Sequence, residues 1–512
     1  MSKTNIYFLN LDLGIKHTGI ESSAALRSSL FINQLSYIPT IITYHYRSQL
    51  TSEVNELRNR GKLSKKISVI NIYEYLQELK AINDKELVLY DGQFKAPYVG
   101  CSSLQYLDED NSLKATVIYN QLNDRLHYII HLYKGKRYRR DYYHEGGALS
   151  CTHFFDTEGQ KVTQEVFYRF DQTICVIKSH SYKKDGKRSS TNIQMVDAQG
   201  KIIGIFDTDE SFIEQVLKRF FSSKDGKSVL VVDRHRLYYK PALNLKKIYG
   251  ADKIKVVSAI HNLHAVNYKE KETCRINSHY VTVFEDLSRT DAIVVQTNIQ
   301  KQDILERFEY PTHVYAIPHT YETNFSPEVA QRNPLQAVYF ARYATDKKHE
   351  LAIEAFSRVV KVLPVAQFHC YGSGSRLAEL KSMVKALEME KNIFLHDWCD
   401  DVATEYESSA LSIISSPSES FSLTIAESLA HGCPVVGFDV PYGPKELIQS
   451  DENGYLVPYQ DTEMMANKII QIMQDPELQK RLSNNARNSA IRYSEKVVGK
   501  LWLTLLKEIG GI

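Results

Sequence analysis

Glu419-Ser420-Phe421-Ser422-Leu423-Thr424-Ile425-Ala426-Glu427 sets two glutamates on either side of seven residues, and Ala430-His431-Gly432-Cys433-Pro434-Val435-Val436 follows. Ahead of it, Ile413 and Ile414 close an apolar run, and Ser415 to Ser420 make a polar turn. Leu423 to Leu429 then carry a helical apolar spacing that stops at Gly432 and Pro434. The reading is strand, loop, helix, with Glu419 just before the helix and Glu427 one to two turns inside it. Amides of the first turn, around Ser422 to Thr424, have no partner within the helix and lie at its positive dipole end. Such a geometry suits a nucleotide diphosphate. An acidic residue near a helix start is also a common structural feature, so the neighbouring residues have to decide.

Upstream, Leu335-Gln336-Ala337-Val338-Tyr339-Phe340-Ala341-Arg342-Tyr343-Ala344-Thr345-Asp346-Lys347-Lys348-His349 reads as a strand ending in a loop that feeds a helix from Leu351 to Leu363. Arg342 and Lys347 fall at the strand's carboxyl edge, where open α/β sheets bind ligands. Cations there can neutralise the charge that grows on a departing diphosphate, with no metal required. Basic residues in a loop are also ordinary solvated surface.

The whole chain is compatible with an α/β enzyme. Its 512 residues, 43% hydrophobic and 24% charged, are enough for about three domains. A net charge of +2 gives no global nucleic-acid signal. No apolar stretch is long enough to span a bilayer, and the N-terminal residues lack a signal-peptide core, so a cytoplasmic protein is expected. The seven cysteines (Cys101, Cys151, Cys175, Cys274, Cys370, Cys399, Cys433) show no CxxC spacing, which points to reduced, mostly buried thiols.

Three regimes succeed one another. Residues 1 to about 86 open with the strand Ile6 to Leu11, a loop from Gly14 to Gly19 and a helix from Ile20 to about Phe31, a unit of Rossmann type in which Gly19 could admit a phosphate or sugar. From about 87 to 206 the period changes to two. Arg125 to Tyr133, Val162 to Phe170 and Thr173 to Ile177 read as strands, with turns at Asp156-Thr157-Glu158-Gly159, Lys184-Asp185-Gly186 and Asp197-Ala198-Gln199-Gly200. The α/β pattern then resumes with a helix from Ser211 to Phe221, strands at 229–232, 254–260 and 292–296, and a helix from Ile299 to Phe308. A second alternating set follows, with strands at 335–341, 366–371, 392–396, 411–415 and 434–438 and the loop Tyr371-Gly372-Ser373-Gly374.

Ile260-His261-Asn262-Leu263-His264 ends a strand with a histidine pair that could bind metal, serve the fold, or, through His261, face a reacting centre. Asp108-Glu109-Asp110 reads as a solvated turn. Tyr133-Lys134-Gly135-Lys136-Arg137-Tyr138-Arg139-Arg140 and Tyr182-Lys183-Lys184-Asp185-Gly186-Lys187-Arg188 set cations beside aromatics, either to hold a phosphate-rich polymer or to protect strand edges.

The string from Glu419 to Glu427, together with an arginine and a lysine five positions later, resembles the signature of retaining GT-B glycosyltransferases of family 4. The order of the Gly19 loop, the inserted sheet, the His261 segment, the Arg342 and Lys347 loop, the glutamates and Pro441-Tyr442-Gly443-Pro444 is similar to a subgroup. That subgroup holds wall teichoic acid α-glycosyltransferases and the O-GlcNAc transferases of serine-rich-repeat adhesins. One departure is Ser422, where the family commonly has glycine.

The resemblance implies an α/β GT-B fold of two Rossmann-like domains with an antiparallel β-sheet insertion in the N-terminal domain. Residues 1–86 and 207–330 would form the discontinuous N-terminal domain and 87–206 the insert. Residues 331–495 would form the nucleotide-sugar domain, and 496–512 a helix packing back on the N-terminal domain. It implies Arg342 and Lys347 on the phosphates, Glu419 at the sugar hydroxyls and His261 by the donor sugar or reacting centre. Gly19, Ser420, Phe421, Ser422 and Leu423 would surround diphosphate and sugar, with Glu427 on ribose. The implied activity moves glucose or N-acetylglucosamine, with retention, from a UDP-sugar to a hydroxyl of a cell-envelope acceptor, wall teichoic acid first. An O-GlcNAc transferase for Ser/Thr-rich adhesins and a catalytically silent acceptor-binding partner are the alternatives. No metal or other cofactor is expected. A polymeric or protein acceptor is expected, as is pairing through the insert with a second copy or a related subunit. Nucleic acid is not an expected partner, and the chain could sit at the inner face of the cell membrane.

Overall fold

The structure is a computed structural model that describes residues 4–14, 19–78, 103–107, 113–123, 125–266, 274–285, 287–308, 313–321, 332–399 and 401–512. The triplet Asp108-Glu109-Asp110, Cys101, the centre of the Gly14 to Gly19 loop and the expected boundaries at 86/87 and 330/331 lie outside these residues. The chain divides into two compact units, one of Met1–Ser29, Tyr37–Val257 and Gly511, the other of Leu30–Ser36, Ser258–Gly510 and Ile512.

In the first unit, apolar β-branched runs form a parallel sheet in the order Lys227–Val232, Thr4–Asn10, Thr40–Thr43, Ser68–Asn71. Phe8, Leu9, Ile41 and Val229 to Val232 are buried in it, as expected for strands covered on both faces. The helix Asp209–Phe221 begins where Thr208 accepts a hydrogen bond from the Ser211 amide, and its acidic first turn and basic last turn suit the helix dipole.

The period-two region forms a nine-stranded antiparallel meander. Its strands are Ser103–Leu107, Leu113–Tyr119, Leu126–Tyr133, Lys136–Tyr143, Leu149–Phe155, Val162–Tyr168, Ile174–Tyr182, Arg188–Val196 and Ile202–Phe206, each pairing with its neighbours in sequence. Three of these strands were legible by alternation, and the three predicted turns are hairpin turns with Gly159, Gly186 and Gly200 at positive φ.

The basic segment at 136–140 lies on a strand inside this sheet, not at an edge, so it protects no edge. Its cations are largely engaged. Arg139 pairs with the buried Asp141 at 2.6 Å, which also accepts from Thr152 and contacts His131. Lys136 pairs with Glu158 at 2.8 Å, and Arg140 lies over the Tyr128 and Phe155 rings.

The second unit holds a six-stranded parallel sheet in the order Ile393–His396, Gln367–Tyr371, Asn333–Phe340, Ser409–Ile414, Val435–Phe438, Gly454–Val457. Its last strand and the helices Thr462–Gln474 and Pro476–Ala490, capped by Asp461 and Asp475, go beyond the strands read from sequence. Phe356, Phe368, Ile413, Ile425, Leu429 and Ile469 are among the fully buried side chains that hold helices on both faces. The same unit contains the parallel pair Ala292–Val295 and His313–Ala316. It also contains the end of the first long helix, where Phe31 meets Trp502 of the last helix, Glu495–Glu508, edge to face at 5.4 Å. No helix among the described residues is long and apolar enough to cross a membrane.

Candidate functional site

In the six-stranded sheet, Asn333–Phe340 has its sequence successor Gln367–Tyr371 on one side and Ser409–Ile414 on the other. Chain connections leave these two central strands in opposite directions, which opens a crevice at their carboxyl ends. Lys347 comes from the loop after the first strand and Glu419 from the loop after the second. Their side chains meet, Nζ to Oε1, at 2.5 Å. Burial alone would depress the ammonium's pKa, but the Glu419 carboxylate, together with Tyr339 and Asp346, outweighs it and holds Lys347 above the usual lysine value.

Both loops are fixed from beneath. The Lys347 carbonyl accepts from the Tyr339 and Ser415 hydroxyls, each at 2.9 Å. A Cβ on Gly372 would stand 2.0 Å from the Ala341 carbonyl oxygen, so the glycine loop seen in the sequence lets the next strand's loop lie against this one. The Glu419 amide donates to the Pro441 carbonyl at 2.9 Å, and its own carbonyl accepts from the amides of Tyr442 (2.6 Å) and Gly443 (2.9 Å). A Cβ on Gly443 would lie 1.8 Å from the Phe421 carbonyl oxygen.

His261 reaches the same place from the N-terminal side of the unit. Its carbonyl accepts from Ser420 Oγ at 2.5 Å, and its ring stacks on His319 at 5.4 Å. The His319 ring in turn meets Phe421 edge to face at 5.5 Å. His319 was not singled out in the sequence, where an isolated histidine carries no periodic signal. Phe421 is 1% exposed and also packs on Tyr493, so its ring anchors the loop. His264 is buried against Phe284 and Tyr442, and burial lowers its pKa to about 4.

The helix after Glu419 spans Leu423–Ala430, close to the reading from sequence. Among the described residues no acceptor meets the amides of Leu423 and Thr424. Glu427 stands one turn inside, half-buried, and adds to the burial that raises the pKa of the Tyr406 phenol behind it. Arg342 is exposed and pairs with Asp346 at 3.2 Å, not with Glu419. Gly19 belongs to the other unit, where its carbonyl accepts from the Ser23 amide at the start of the helix Ile20–Leu35. No group of three or more His, Cys, Asp or Glu among the described residues is arranged to hold a metal ion.

Ser422 caps the helix at φ +75°, a left-handed conformation that costs a residue with a Cβ about 1–2 kcal/mol. Its hydroxyl makes no cap hydrogen bond and only approaches Thr424 Oγ1 at 3.1 Å. Ser422→Gly is therefore expected to stabilise the protein by roughly 0.5–1 kcal/mol, after the entropy glycine adds to the unfolded chain. Denaturant midpoints would measure this, and a lower midpoint would mean that the contact with Thr424 outweighs the strain.

Residues 320–489 match the family model for glycosyl transferases group 1, a span that includes Arg342, Lys347, Glu419 and Glu427. The chain is similar to the poly(glycerol-phosphate) alpha-glucosyltransferase of Bacillus subtilis (strain 168), at 26% identity over 518 residues covering 98% of this chain and 75% of the relative. It is similar also to the poly(ribitol-phosphate) alpha-N-acetylglucosaminyltransferase of Staphylococcus aureus (strain COL), at 24% identity covering 98% and 99% of the two chains. The solved structure of the pneumococcal O-GlcNAc transferase GtfA in complex with UDP and GlcNAc has the same fold, with TM-score 0.82 at 20% identity and 99% of each chain covered. The chain has the GT-B fold. The Lys347 and Glu419 pair lies inside the matched segment, whereas His261 and Gly19 lie outside it.

Proposed function

We propose that the chain is a retaining hexosyltransferase that moves glucose or N-acetylglucosamine from a UDP-sugar to a hydroxyl of a cell-envelope polymer, wall teichoic acid first. The observation that carries this reading is the Lys347 and Glu419 pair at the switch point, beside the open amides that begin Leu423–Ala430. Lys347 and the helix amides are disposed to take up charge on a departing diphosphate. Glu419 accepts from sugar hydroxyls, and Glu427 from ribose. Arg342, tied among the described residues by an exposed ion pair of small worth, turns to the phosphates when donor binds. In a front-face route the departing diphosphate oxygen takes the acceptor's proton, which requires no carboxylate nucleophile. The polyol-phosphate acceptors in the names of the two relatives support a teichoic acid acceptor. Placement in the cytoplasm at the inner face of the membrane belongs to the same reading.

A protein acceptor is the second reading, favoured by the relatives that glycosylate peptides at 23% identity. UDP release separates the possibilities when UDP-glucose and UDP-N-acetylglucosamine are each offered with poly(glycerol-phosphate), poly(ribitol-phosphate) and a Ser/Thr-rich protein. Release stimulated by one polymer supports the first reading, stimulation by the protein alone the second, and none with any donor a catalytically silent partner.

Turnover is expected to survive chelation, because side-chain cations and helix amides meet the leaving group's charge. Activity lost in EDTA and restored by Mg²⁺ or Mn²⁺ would overturn that expectation.

A further inference from the structure

Away from the pair at the switch point, the first unit holds a half-open cavity of about 380 Å³, within the range of small-molecule sites. It lies at the carboxyl ends of the strands Thr4–Asn10 and Thr40–Thr43, through Asp12 and the segment Tyr44 to Gln49. Side chains of the antiparallel sheet line its other side. Carboxyl ends of parallel strands are where α/β sheets present ligands, and a sheet laid over them makes a chamber that the Rossmann unit alone would lack.

The lining is charged yet balanced. Asp12, Glu53 and Glu165 stand against Arg47, Lys178 and Arg188. Arg47 bridges Asp12 at 2.7 Å and Glu53 at 2.9 Å, Arg188 reaches Glu165 at 3.1 Å, and Lys178 is held by Asp209 at 2.9 Å. Each cation already has its carboxylate, so a phosphate would enter without an uncommitted positive charge to meet it. Burial also lowers the pKa of the lining histidines His45, His127 and His153, the last to about 4, and so favours their uncharged forms. What the lining offers is hydrogen-bonding capacity and flat faces. The Ser48 hydroxyl, in a residue 3% exposed, has no partner among the described residues, although a buried polar group without one is costly. The Tyr142 ring, flanked by His153 at 4.8 Å and His127 at 6.2 Å, supplies an aromatic face.

We infer that this cavity binds a neutral polyhydroxylated unit, a polyol or a hexose ring, of the acceptor polymer. Carboxylates with spare lone pairs accept from its hydroxyls, Ser48 gains a partner, and the aromatic face covers its C–H bonds. The inference rests on the polymer-acceptor reading above for the source of that unit, not for its chemistry.

Saturation-transfer NMR on the whole chain tests it, with ribitol, methyl α-glucoside and inorganic phosphate as probes. Transfer to ribitol assigns the cavity to the polymer backbone, and transfer to the glucoside assigns it to sugars already attached. In either case phosphate should not compete, and the signal should vanish in Ser48→Phe, which fills the chamber, and weaken in Tyr142→Ala. With polymeric acceptor, the same variants should raise acceptor KM by about tenfold, the equivalent of one or two lost hydrogen bonds, with donor KM hardly moved. Should Ser48→Phe fail to fold, Ser48→Ala and Tyr142→Ala carry the test. No transfer to either neutral probe, displacement by phosphate, or a signal that persists in the folded variants would overturn the inference. Absence of any UDP release by the unaltered chain would sink the transferase reading, and the probe-binding result would still judge the cavity.

Discussion

Lys347→Ala is expected to lower turnover at saturating donor by about 100-fold or more, the scale seen when a preorganised charge partner of a leaving group is removed. Lys347 is held from both ends, its carbonyl by Tyr339 and Ser415 and its ammonium by Glu419. On the proposed reading Glu419→Ala should fall as far, because it would remove a hydrogen-bond acceptor for the sugar and free the lysine. Folding has to be followed alongside, since splitting a partly buried pair leaves one charge without its partner. Stability lent by the raised Lys347 pKa is full below the ordinary lysine value, near 10.4, and fades only as pH rises through the raised folded value. Activity losses measured at neutral pH therefore report chemistry rather than titration of the lysine. Lys347→Arg keeps the charge and should recover part of the rate. Near-normal turnover in the alanine variant would remove Lys347 from the diphosphate.

Gly443→Ala should be the most damaging single methyl group in the unit. The new Cβ would sit 1.8 Å from the Phe421 carbonyl oxygen, which is backbone and cannot rotate away. Either the Pro441 to Pro444 segment or the Glu419 loop must shift, at a cost of about 1–3 kcal/mol or more for overpacking. Displacement of the Glu419 loop by about 1 Å is enough to cost on the order of 100-fold in rate. Thermal unfolding and UDP release read the two effects separately. A variant with unchanged melting and rate would show that these backbones do not touch in solution.

Much of this site was legible because it is local. Strand, loop and helix around Glu419 follow from apolar spacing, and the strand ahead of Arg342 and Lys347 does too. The cation and carboxylate fell at adjacent strand ends because alternating strands and helices put their loops on one edge. What the sequence did not show depends on partners distant along the chain. Ser420 binds the carbonyl of His261, 159 positions away, and His319 joins that histidine to Phe421. Neither contact leaves a periodic trace. Arg342 and Lys347 look alike as loop cations, yet one is 55% exposed at its side chain and the other 20%. That difference arises from which side of the loop faces the neighbouring strand. Most of the nine meander strands escaped notice because Lys, Arg and Tyr on their faces blur the alternation that marked the other three. Ser422 was visible as a departure from glycine, but its left-handed backbone was not.

The tie between Ser420 and the His261 carbonyl has a companion in Glu446, which caps the helix Asn298–Arg307 by accepting from Asn298 Nδ2 and the Ile299 amide, each at 3.1 Å. Both bonds join the segment after Ser258 to the six-stranded sheet within one unit. Anyone dissecting the protein at the familiar break between two nucleotide-fold halves, near 331, would sever that segment. The excised half would keep its sheet, but the Glu419 loop would lose one of its anchors and a glutamate would be left facing no helix end. Its donor affinity would then describe an amputated loop, whereas a fragment cut at 258 carries its own splint.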